Sequence, residues 1–406
     1  MSLQDRHLVL EELGWRREVL QQARVLVVGA GAIGNEVLKN LALLGVGTIV
    51  VVDLDVIENR NLSRSVLFRP GDVGRMKAEI AAERVREFDT ELTVLPLVGR
   101  LQHLLGGAFY RRFDLVFGCL DNLQARRDVN RQCLRCGVCY IDGGLRQLDG
   151  EVRIFAPPFE VCFDCILDEE ARSRAWRRYS CLKLISDSAP GESVPTSPTM
   201  AAVVGGWMVQ LGAKYLHGLS IPRGEVLSYL GGIDDPGRSR YSPNPACPTH
   251  VTCEPITGVR VIELNVRSGR ITPAELLAKG ADLLGGPCVL HLDQPLLHGL
   301  FCAGCATTEP IFRPTGSLTL AEARCPRCSE LQRHEVIRAP QEAHLLRGDE
   351  PFLHHSLTDL GLPPGGLYEL EGPQRTRVYL AVNGDLPESL RREKTIGLSE
   401  EHPGRH

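Results

Sequence analysis

The sequence predicts an α/β fold, in which a doubly wound and mostly parallel sheet precedes a smaller α+β module. Two patterns predict the sheet. Apolar runs alternate with amphipathic helical periods up to about residue 142, and a glycine-rich turn joins the first strand to the first helix. A third observation predicts the module: beyond residue 255 the alternation stops, and four cysteines cluster within residues 302–328.

These periods predict the elements in order. Spaced apolar residues over 3–22 indicate a helix pair, and the chain from 24 to 53 predicts a strand, a turn, a helix and a second strand. Further strands are predicted over 92–98, 114–118, 138–142 and 151–156, with helices over 75–88, 124–136 and 197–218. Later residues predict a hairpin over 225–233, a helix over 273–284 and a strand over 288–292.

Composition is that of an ordinary soluble protein. The chain has 406 residues, 43% of them hydrophobic and 24% charged, and a net charge of −4, which disfavours a nucleic-acid binder or a disordered chain. No apolar stretch is long enough to span a bilayer, and the first residues lack the apolar core of a signal peptide. We therefore expect a cytoplasmic protein that binds neither nucleic acid nor membrane. Its fourteen cysteines then suit metal ligands, a reactive thiol and buried packing better than disulfides.

The glycine turn predicts a nucleotide site. An apolar run meets Gly29-x-Gly31-x-x-Gly34, an amphipathic helix follows, and the next apolar run ends at Asp53. In a Rossmann-like unit such glycines let the backbone approach phosphate, and the acid accepts a hydrogen bond from a ribose hydroxyl. A tight turn without a ligand also selects glycine, so the purely structural alternative stands beside the nucleotide site.

The residues that follow do not suit a redox dinucleotide site. Asp55 begins a polar run that contains Asn61 and Arg64, and farther on come Lys77 and the pair Asp121 and Asn122. Together with the glycine turn, this set resembles the adenylating fold of the MoeB/ThiF and ubiquitin-activating enzyme superfamily. The resemblance covers about residues 1–255.

The resemblance implies a role for each residue in ATP-dependent adenylation. Arg64 and Lys77 would lie near the phosphates, Asp121 would hold Mg²⁺, and Asn61 would orient a phosphate or the incoming carboxylate. The simpler alternatives are surface charges for the two cations and a helix cap for Asp121. Ser65 stands where the sulfur-carrier branch usually has glutamine, so the contact made by that glutamine is not carried over to this sequence. The implied cofactor-binding set is Gly29, Gly31, Gly34, Asp53, Asp55, Asn61, Arg64, Lys77, Asp121 and Asn122.

Two further candidates come from the same resemblance. Arg6 is similar to the arginine that family members send from an N-terminal helix into the neighbouring subunit's ATP site, although a solvated surface arginine is an equal alternative. Cys181 lies in a polar loop where thiol-charging members keep their nucleophile, beside Arg177, Arg178 and Lys183, which could lower the thiol pKa. An unreactive loop cysteine is the alternative.

Two cysteine groups predict structural zinc. Cys162-x-x-Cys165 and the distant Cys247-x-x-His250-x-x-Cys253 offer three thiolates and a choice of His250 or Cys253 as the fourth ligand. The second group consists of two Cys-x-x-Cys pairs separated by nineteen residues, which is the spacing of a zinc ribbon. Its ligands would be Cys302, Cys305, Cys325 and Cys328.

The sequence therefore predicts an adenylation domain over 1–255, an α+β module with a zinc ribbon over 256–385, and a mobile tail over 386–406. The resemblance implies an enzyme that uses ATP, Mg²⁺ and two structural Zn²⁺ ions to activate the C-terminal carboxylate of a ubiquitin-like protein, ending in glycine. Cys181 would then take the acyl group as a thioester and pass it to a conjugating enzyme, in a bacterial ubiquitin-like conjugation pathway. One adenylation unit per chain implies a homodimer.

Three alternatives stay open. A sulfur-carrier adenylyltransferase of the molybdopterin or thiamine type would share the first step but not the handover. An NAD(P)-dependent oxidoreductase would use the same glycine turn, but the set of Asn61, Arg64, Lys77 and Asp121 has no role there. A non-catalytic scaffold that keeps the fold is disfavoured, because the phosphate and magnesium residues are all present.

Overall fold

The computed structural model describes residues 14–172, 196–253, 255–256, 258–314, 317–318, 324–328, 333–336 and 344–391. Its strands form three sheets, of eight, five and three strands. Arg6, Cys181 and most of the predicted N-terminal helix pair lie outside the described residues. Within those residues, no helix is both long and apolar enough to cross a membrane.

The large sheet has the strand order β3-β2-β1-β4-β5-β6-β7-β8. The five strands from β3 to β5 run parallel, and the three that follow are antiparallel. Their bounds are β1 Arg24–Val28, β2 Thr48–Asp53, β3 Thr93–Val98, β4 Leu115–Gly118, β5 Cys139–Arg146, β6 Asp149–Phe155, β7 Glu225–Leu230 and β8 Asp235–Arg240. The predicted α/β class with a mostly parallel sheet is confirmed.

Helices cover both faces of this sheet. They are α1 Arg17–Gln22, α2 Ala32–Leu44, α3 Lys77–Phe88, α4 Leu101–Leu104, α5 Gly107–Tyr110, α6 Leu123–Cys136, α7 Pro198–Leu216 and α8 Pro248–Thr252. Successive residues of a strand point to opposite faces: Val25 and Val27 pack with α2, α3 and α7, whereas Leu26 and Val28 pack with α5 and α6. The buried strands are therefore apolar on both sides.

Glycines let α7 pack closely against its neighbours. A Cβ on Gly205 would lie 2.6 Å from Glu36 Cβ on α2, and one on Gly212 would lie 2.6 Å from the side chains of Leu115 and Phe117. Both distances are shorter than real Cβ atoms show, so α7 could not occupy this position with larger residues. The small-residue helix predicted over 197–218 has this role in the core.

The C-terminal module contains the other two sheets. The five-stranded sheet has the order β14-β10-β15-β16-β9 and the three-stranded sheet the order β12-β11-β13. The bounds are β9 Val261–Leu264, α9 Pro273–Leu284, β10 Val289–His291, β11 Leu296–Cys302, β12 Thr307–Pro314, β13 Arg333–Val336, β14 Leu345–Leu346, β15 Leu367–Glu371, β16 Arg377–Val382 and α10 Glu388–Arg391.

The module shares a hydrophobic core with the large sheet. Tyr379 and Ala381 of β16 belong to the same buried cluster as Leu26 and Phe109. Main-chain bonds reinforce the contact, since the N–H of Gly106 donates to Pro364 O at 2.9 Å and that of Ala108 donates to Gly365 O at 2.8 Å.

Buried charges cross the same boundary. Arg135, at the end of α6, pairs with Asp293 and donates to Leu367 O at 2.9 Å, and its guanidinium lies 5.2 Å from the centre of the Tyr379 ring. Glu263 of β9 accepts from both Arg111 and Arg112. The module is therefore joined to the first sheet by apolar, main-chain and charged contacts together.

Two predicted boundaries need correction. The hairpin predicted over 225–233 extends to Arg240, because β8 is a fully exposed edge strand of polar residues, proline and glycine. Of the residues predicted as a mobile tail, Leu386 and Leu390 are each 1% exposed and pack in the shared core, so the described part of that stretch is folded against the protein. Residues 392–406 lie outside the described part of the chain.

Candidate functional site

The glycine turn between β1 and α2 has one open side. Gly29 has φ +96° and Gly34 backs onto Gly29 O, so a Cβ at either position would collide with backbone. Gly31 differs, since apart from its chain neighbours no atom of the described residues lies within 4 Å of where its Cβ would be. Packing thus requires glycine at the first and third positions, whereas at the second it leaves space in front of a helix N-terminus, where a phosphate could approach the backbone.

Asn35, which the sequence analysis did not single out, holds this turn in shape. It is completely buried, and its side-chain amide donates to Ala30 O at 2.7 Å and Gly31 O at 3.0 Å. Its Oδ1 accepts from the N–H of Leu67 at 2.9 Å, which connects the turn to the segment that carries Arg64. The signal was a polar residue immediately after the third glycine, in the otherwise apolar first turns of α2.

Asp53 ends β2 and faces the glycine turn. Its Oδ2 accepts from the N–H of Ala30 at 2.7 Å and its Oδ1 from the N–H of Asp55 at 2.8 Å. Burial raises the pKa of Asp53, while the positive charge of Lys77 and the two backbone donors act in the opposite direction. Each carboxylate oxygen keeps a second lone pair with which it could accept from a ribose hydroxyl.

Lys77 is not a solvated surface charge. It starts α3, is 8% exposed, and its Nζ donates to Asp55 Oδ2 at 2.8 Å. Asn61 is also buried, and its Oδ1 accepts from the N–H of Glu58 at 2.9 Å within a short 3₁₀ turn. The polar run after β2 is therefore folded against the sheet edge.

Arg64 is half-buried and reaches across to another segment. Its Nη1 donates to Thr196 Oγ1 at 3.2 Å. Thr196 also forms an isolated bridge with Gln147 and directly precedes the turn into α7. Arg64 thus contacts Thr196, which directly follows residues 173–195. That stretch contains Cys181 and lies outside the described residues.

Asp121 and Asn122 separate into two roles. The Asn122 side chain caps α6 by accepting from the N–H of Ala125 at 2.8 Å, so the cap is not Asp121. Asp121 is exposed, and it makes no hydrogen bond or ion pair with any residue that the structure describes. Its carboxylate therefore faces solvent just beyond the end of β4.

The topology brings these residues to one edge of the sheet. β2, β1 and β4 are parallel neighbours, with Val28 in register with both Val52 and Gly118. Asp53, Gly29 and Asp121 consequently follow the carboxyl ends of adjacent strands, which is where open α/β sheets bind ligands.

A buried charge cluster beside this edge was missed by the sequence analysis. Asp142, in β5, is completely buried, pairs with Arg126 and Arg153, and accepts from the Tyr140 hydroxyl at 2.8 Å. Arg126 also donates to Leu120 O, next to Asp121. The arginines looked like ordinary surface residues in the sequence, but an acid at the end of a predicted buried strand was an available signal.

The first cysteine group has the geometry of a tetrahedral metal site. Cys162 Sγ lies 3.7 Å from Cys247 Sγ and 3.9 Å from Cys165 Sγ, and Cys165 Sγ lies 3.4 Å from His250 Nδ1. With Zn–S bonds of about 2.3 Å, tetrahedral ligand sulfurs lie about 3.7 Å apart. Hydrogen bonds among these sulfurs lower the pKa of Cys165 and raise the pKa of Cys162.

Cys253, the other candidate for this group, lies apart from it. The ligand atoms of Cys162, Cys165, Cys247 and His250 all lie within 4.8 Å of one another, and Cys253 is not among them. Its Sγ instead donates to Arg131 O at 3.6 Å on α6. The three-residue spacing after His250 places Cys253 beyond the end of α8, where it packs in the same buried cluster as Cys162 and Cys247 without joining the ligand atoms.

The second cysteine group also comes together. Cys302 Sγ lies 3.5 Å from Cys328 Sγ, and Cys305 Sγ lies 3.7 Å from Cys325 Sγ, so the four sulfurs fit one tetrahedral ion. The backbone N–H groups of Cys328 and Arg327 lower the pKa of Cys325 to about 6. Ready ionisation of a thiol suits metal binding, because the thiolate is the ligand.

The other cysteines near the large sheet are poor nucleophiles. Burial raises the pKa of Cys136 to about 12 and that of Cys119 and Cys139 still further. These thiols stay protonated at neutral pH, so they serve as packing residues. Within the described residues, no cysteine at this sheet offers an accessible thiolate outside the metal group.

A family comparison agrees with this geometry. The ThiF family model matches residues 5–249, which is more than half of the chain. The chain belongs to the ThiF family. Its predicted superfamily is thereby confirmed.

Individual relatives are activating enzymes by name. This ThiF-family chain is 41% identical over 147 residues to SUMO-activating enzyme subunit 2 of Dictyostelium discoideum, covering 36% of the chain and 22% of that protein. It is 39% identical over 166 residues to the NEDD8-activating enzyme E1 catalytic subunit of Caenorhabditis elegans, covering 37% and 38% respectively. The chain therefore spans well under half the length of either relative.

A solved structure is also similar. The crystal structure of E. coli MccB with AMPCPP and MccA aligns with a TM-score of 0.48 and 23% identity, over 57% of this chain and 68% of that one.

Proposed function

We propose that this ThiF-family chain is an ATP-dependent activating enzyme for a ubiquitin-like protein. One observation carries the proposal: the glycine turn follows β1, Asp53 ends β2 and the exposed carboxylate of Asp121 follows β4, all at one edge of the sheet. The buried Lys77 pairs with Asp55, two residues beyond Asp53. Two relatives of this chain are named for activating SUMO and NEDD8, which supports a protein rather than a small-molecule substrate.

The first step is adenylation of a carboxylate. An oxygen of the carrier's C-terminal carboxylate attacks the α-phosphorus of ATP, the bond to the bridging oxygen breaks, and pyrophosphate leaves with the electron pair. Lys77 and Arg64 stabilise the negative charge that builds on the phosphates, and Asn61 orients the reacting groups. Mg²⁺ held by Asp121 would neutralise the departing pyrophosphate.

The second step transfers the acyl group to Cys181. The thiolate attacks the acyl carbon, the carbon–oxygen bond to AMP breaks, and a thioester forms with AMP as the leaving group. Support for this step comes from the poor alternatives at the same sheet, because burial keeps Cys119, Cys136 and Cys139 protonated. A conjugating enzyme would then receive the acyl group, in a bacterial conjugation pathway.

The remaining site residues have supporting roles in this proposal. Cys162, Cys165, Cys247 and His250 hold one structural Zn²⁺, and the four ribbon cysteines hold another. The adenylation domain ends near residue 255, between α8 and β9, and the module follows it. Arg6 completes the ATP site of a second copy in a homodimer.

Pyrophosphate exchange with small carrier proteins tests the first step. We expect ATP–pyrophosphate exchange that depends on a carrier ending in glycine, and Asp121→Ala should reduce it by about a hundredfold or more, the size of loss caused by removing one group that stabilises developing charge. Asp282→Ala removes an exposed acid of the module and serves as the charge-matched control. Parental exchange in Asp121→Ala would contradict the magnesium assignment.

A non-reducing gel tests the second step. Cys181→Ala should keep exchange at the parental rate and lose only a thiol-sensitive band of chain plus carrier. Carrier thiolation by sulfide without that band would favour the sulfur-carrier alternative. Retained NAD(P), identified by mass spectrometry, would support the oxidoreductase alternative instead.

A further inference from the structure

Helix α6 touches both the Asp121 loop and the first cysteine group. At its N-terminal end, Asn122 caps the helix and Arg126 donates to Leu120 O, so the residues on either side of Asp121 are both held by α6. The Asp121 side chain has no protein partner in the described part of the chain. The position of its carboxylate is therefore set by the position of α6.

The same helix rests on the Cys162–Cys165 turn. Arg127 donates to the Asp164 carboxylate through Nε at 2.7 Å and Nη2 at 3.3 Å. One turn later, Asn130 Oδ1 accepts from the N–H of Phe163 at 2.8 Å. Both contacts are made to residues that lie between the two cysteines.

Asp164 also joins the two halves of the metal group. It is 2% exposed, and its Oδ2 accepts from Thr249 Oγ1 at 2.5 Å, a residue that lies between Cys247 and His250. A single buried carboxylate thus connects both ligand-bearing segments to Arg127 of α6. Removing it would leave a buried hydroxyl and a guanidinium without their shared acceptor, which is costly inside a protein.

We propose that Asp164 is a positioning residue that couples the first zinc site to the magnesium-binding carboxylate of Asp121. It assembles the two ligand-bearing segments through Thr249, and it fixes the orientation of α6 through Arg127. Zinc occupancy and Mg²⁺ affinity are then linked through one helix. The proposal rests on the proposed function only for the assignment of Mg²⁺ to Asp121.

Zinc retention tests the first half of the coupling. Asp164→Asn keeps the shape of the side chain and removes its charge, and Glu169→Gln makes the same charge change at an exposed position on the same segment. We expect chelator to remove zinc about tenfold faster from Asp164→Asn than from the parent, as for other residues that hold metal ligands in place. Zinc content is measured by elemental mass spectrometry, and Glu169→Gln should match the parent.

Magnesium dependence tests the second half. Binding of a fluorescent ATP analogue is titrated with Mg²⁺, and we expect Arg127→Lys and Asp164→Asn each to raise the half-saturating Mg²⁺ concentration about threefold. In an Asp121→Ala background neither change should shift it further, because the carboxylate being positioned is gone. A merely structural role would shift both backgrounds equally.

Both measurements have an outcome that would contradict the coupling through Asp164. Parental zinc loss in Asp164→Asn, or an equal Mg²⁺ shift with and without Asp121, would overturn the proposal. If Asp164→Asn fails to fold by circular dichroism, Arg127→Lys decides alone, since it lies on α6 and leaves the ligand-bearing segments intact. If the parent binds no ATP analogue, the proposed function fails, and the zinc measurement still decides the role of Asp164.

Discussion

Asp121 and Asp128 lie seven residues apart and have opposite environments. Asp121 is exposed beyond β4, whereas Asp128 is half-buried on α6 and accepts hydrogen bonds from the side chains of Gln102 and Gln124. Burial raises the pKa of Asp128 to about 6, although those bonds and nearby Arg127 act in the opposite direction. One carboxylate is thus free to bind a cation, and the other makes folding pH-dependent.

Asp128→Asn should stabilise the chain at neutral pH. Because the folded-state pKa is raised above the ordinary value near 4, the protonated carboxyl favours folding at low pH, and that contribution is lost as the pH rises through about 6. At pH 7.5 the Asp128 carboxylate is charged, and its partly desolvated charge destabilises the folded state. The uncharged amide of Asp128→Asn should therefore increase the free energy of unfolding by about 1–3 kcal/mol. At pH 4 the difference should nearly vanish.

Urea unfolding at pH 4, 5, 6 and 7.5 measures this difference. The exposed Asp235→Asn variant provides the control for loss of one charge. If the difference in unfolding free energy between Asp128→Asn and the parent stayed constant from pH 4 to 7.5, the Asp128 carboxyl would not titrate as inferred.

At the scale of single elements, the sequence predicted those with strong local signals. The helix predicted over 273–284 has those bounds, because Thr272 and Glu275 form a capping box and Gly285, with φ +73°, ends it. Strand β8 was missed, because its polar residues, proline and glycine carry no apolar alternation. It forms a strand only because β7 supplies its hydrogen-bond partners, and such pairing cannot be predicted from the local sequence.

The candidate site, like the secondary structure, could be predicted only in part. The glycine turn and the cysteine spacings were readable, because backbone geometry and metal ligation demand particular residues at particular intervals. The choice between His250 and Cys253 as the fourth metal ligand could not be made from the sequence, because it depends on where α8 ends. The buried roles of Asn35, Asp142 and Asp164 depend on tertiary contacts between segments far apart in sequence.

Adjacent glycines of α7 offer a matched test of element packing. Gly205→Ala places a methyl group 2.6 Å from Glu36 Cβ, so we expect it to lower the free energy of unfolding by about 1–3 kcal/mol. Outside its own helix, a Cβ at Gly206 meets no atom of the described residues within 4 Å. Gly206→Ala should therefore raise the free energy of unfolding by up to about 1 kcal/mol, because alanine is the better helix former. Chemical denaturation of both variants measures the difference. Equal effects would mean that α7 does not pack tightly on α2.

At the scale of the whole molecule, the module and the first sheet form one folded body. The predicted division at residue 255 follows the change of sheet, but the hydrophobic core crosses that division through Tyr379, Ala381 and Leu386. Sequence patterns could separate the two parts, but they could not show that Arg135 and Asp293 meet, because these residues are distant in sequence.

Asp293→Ala should weaken the joint between the two parts. It leaves the buried guanidinium of Arg135 without its carboxylate, and because Asp293 is itself partly exposed we expect a loss of about 2–4 kcal/mol of unfolding free energy. Asp282→Ala, on an exposed position of α9, controls for charge. Urea unfolding is followed by tryptophan fluorescence and circular dichroism together. The parent should show one coincident transition, and the transition of Asp293→Ala should have its midpoint at a lower urea concentration. An unchanged midpoint would argue against this joint.

The two cysteine groups differ in how soon a growing chain can complete them. Cys302 and Cys328 are 26 residues apart, whereas Cys165 and His250 are separated by 85. At about 5–20 residues per second, a ribosome needs about 4–17 s to add those 85 residues. The first pair of thiols therefore emerges well before its partners do, and the four ligand atoms of this group can meet only after the last strand of the first sheet has been synthesised.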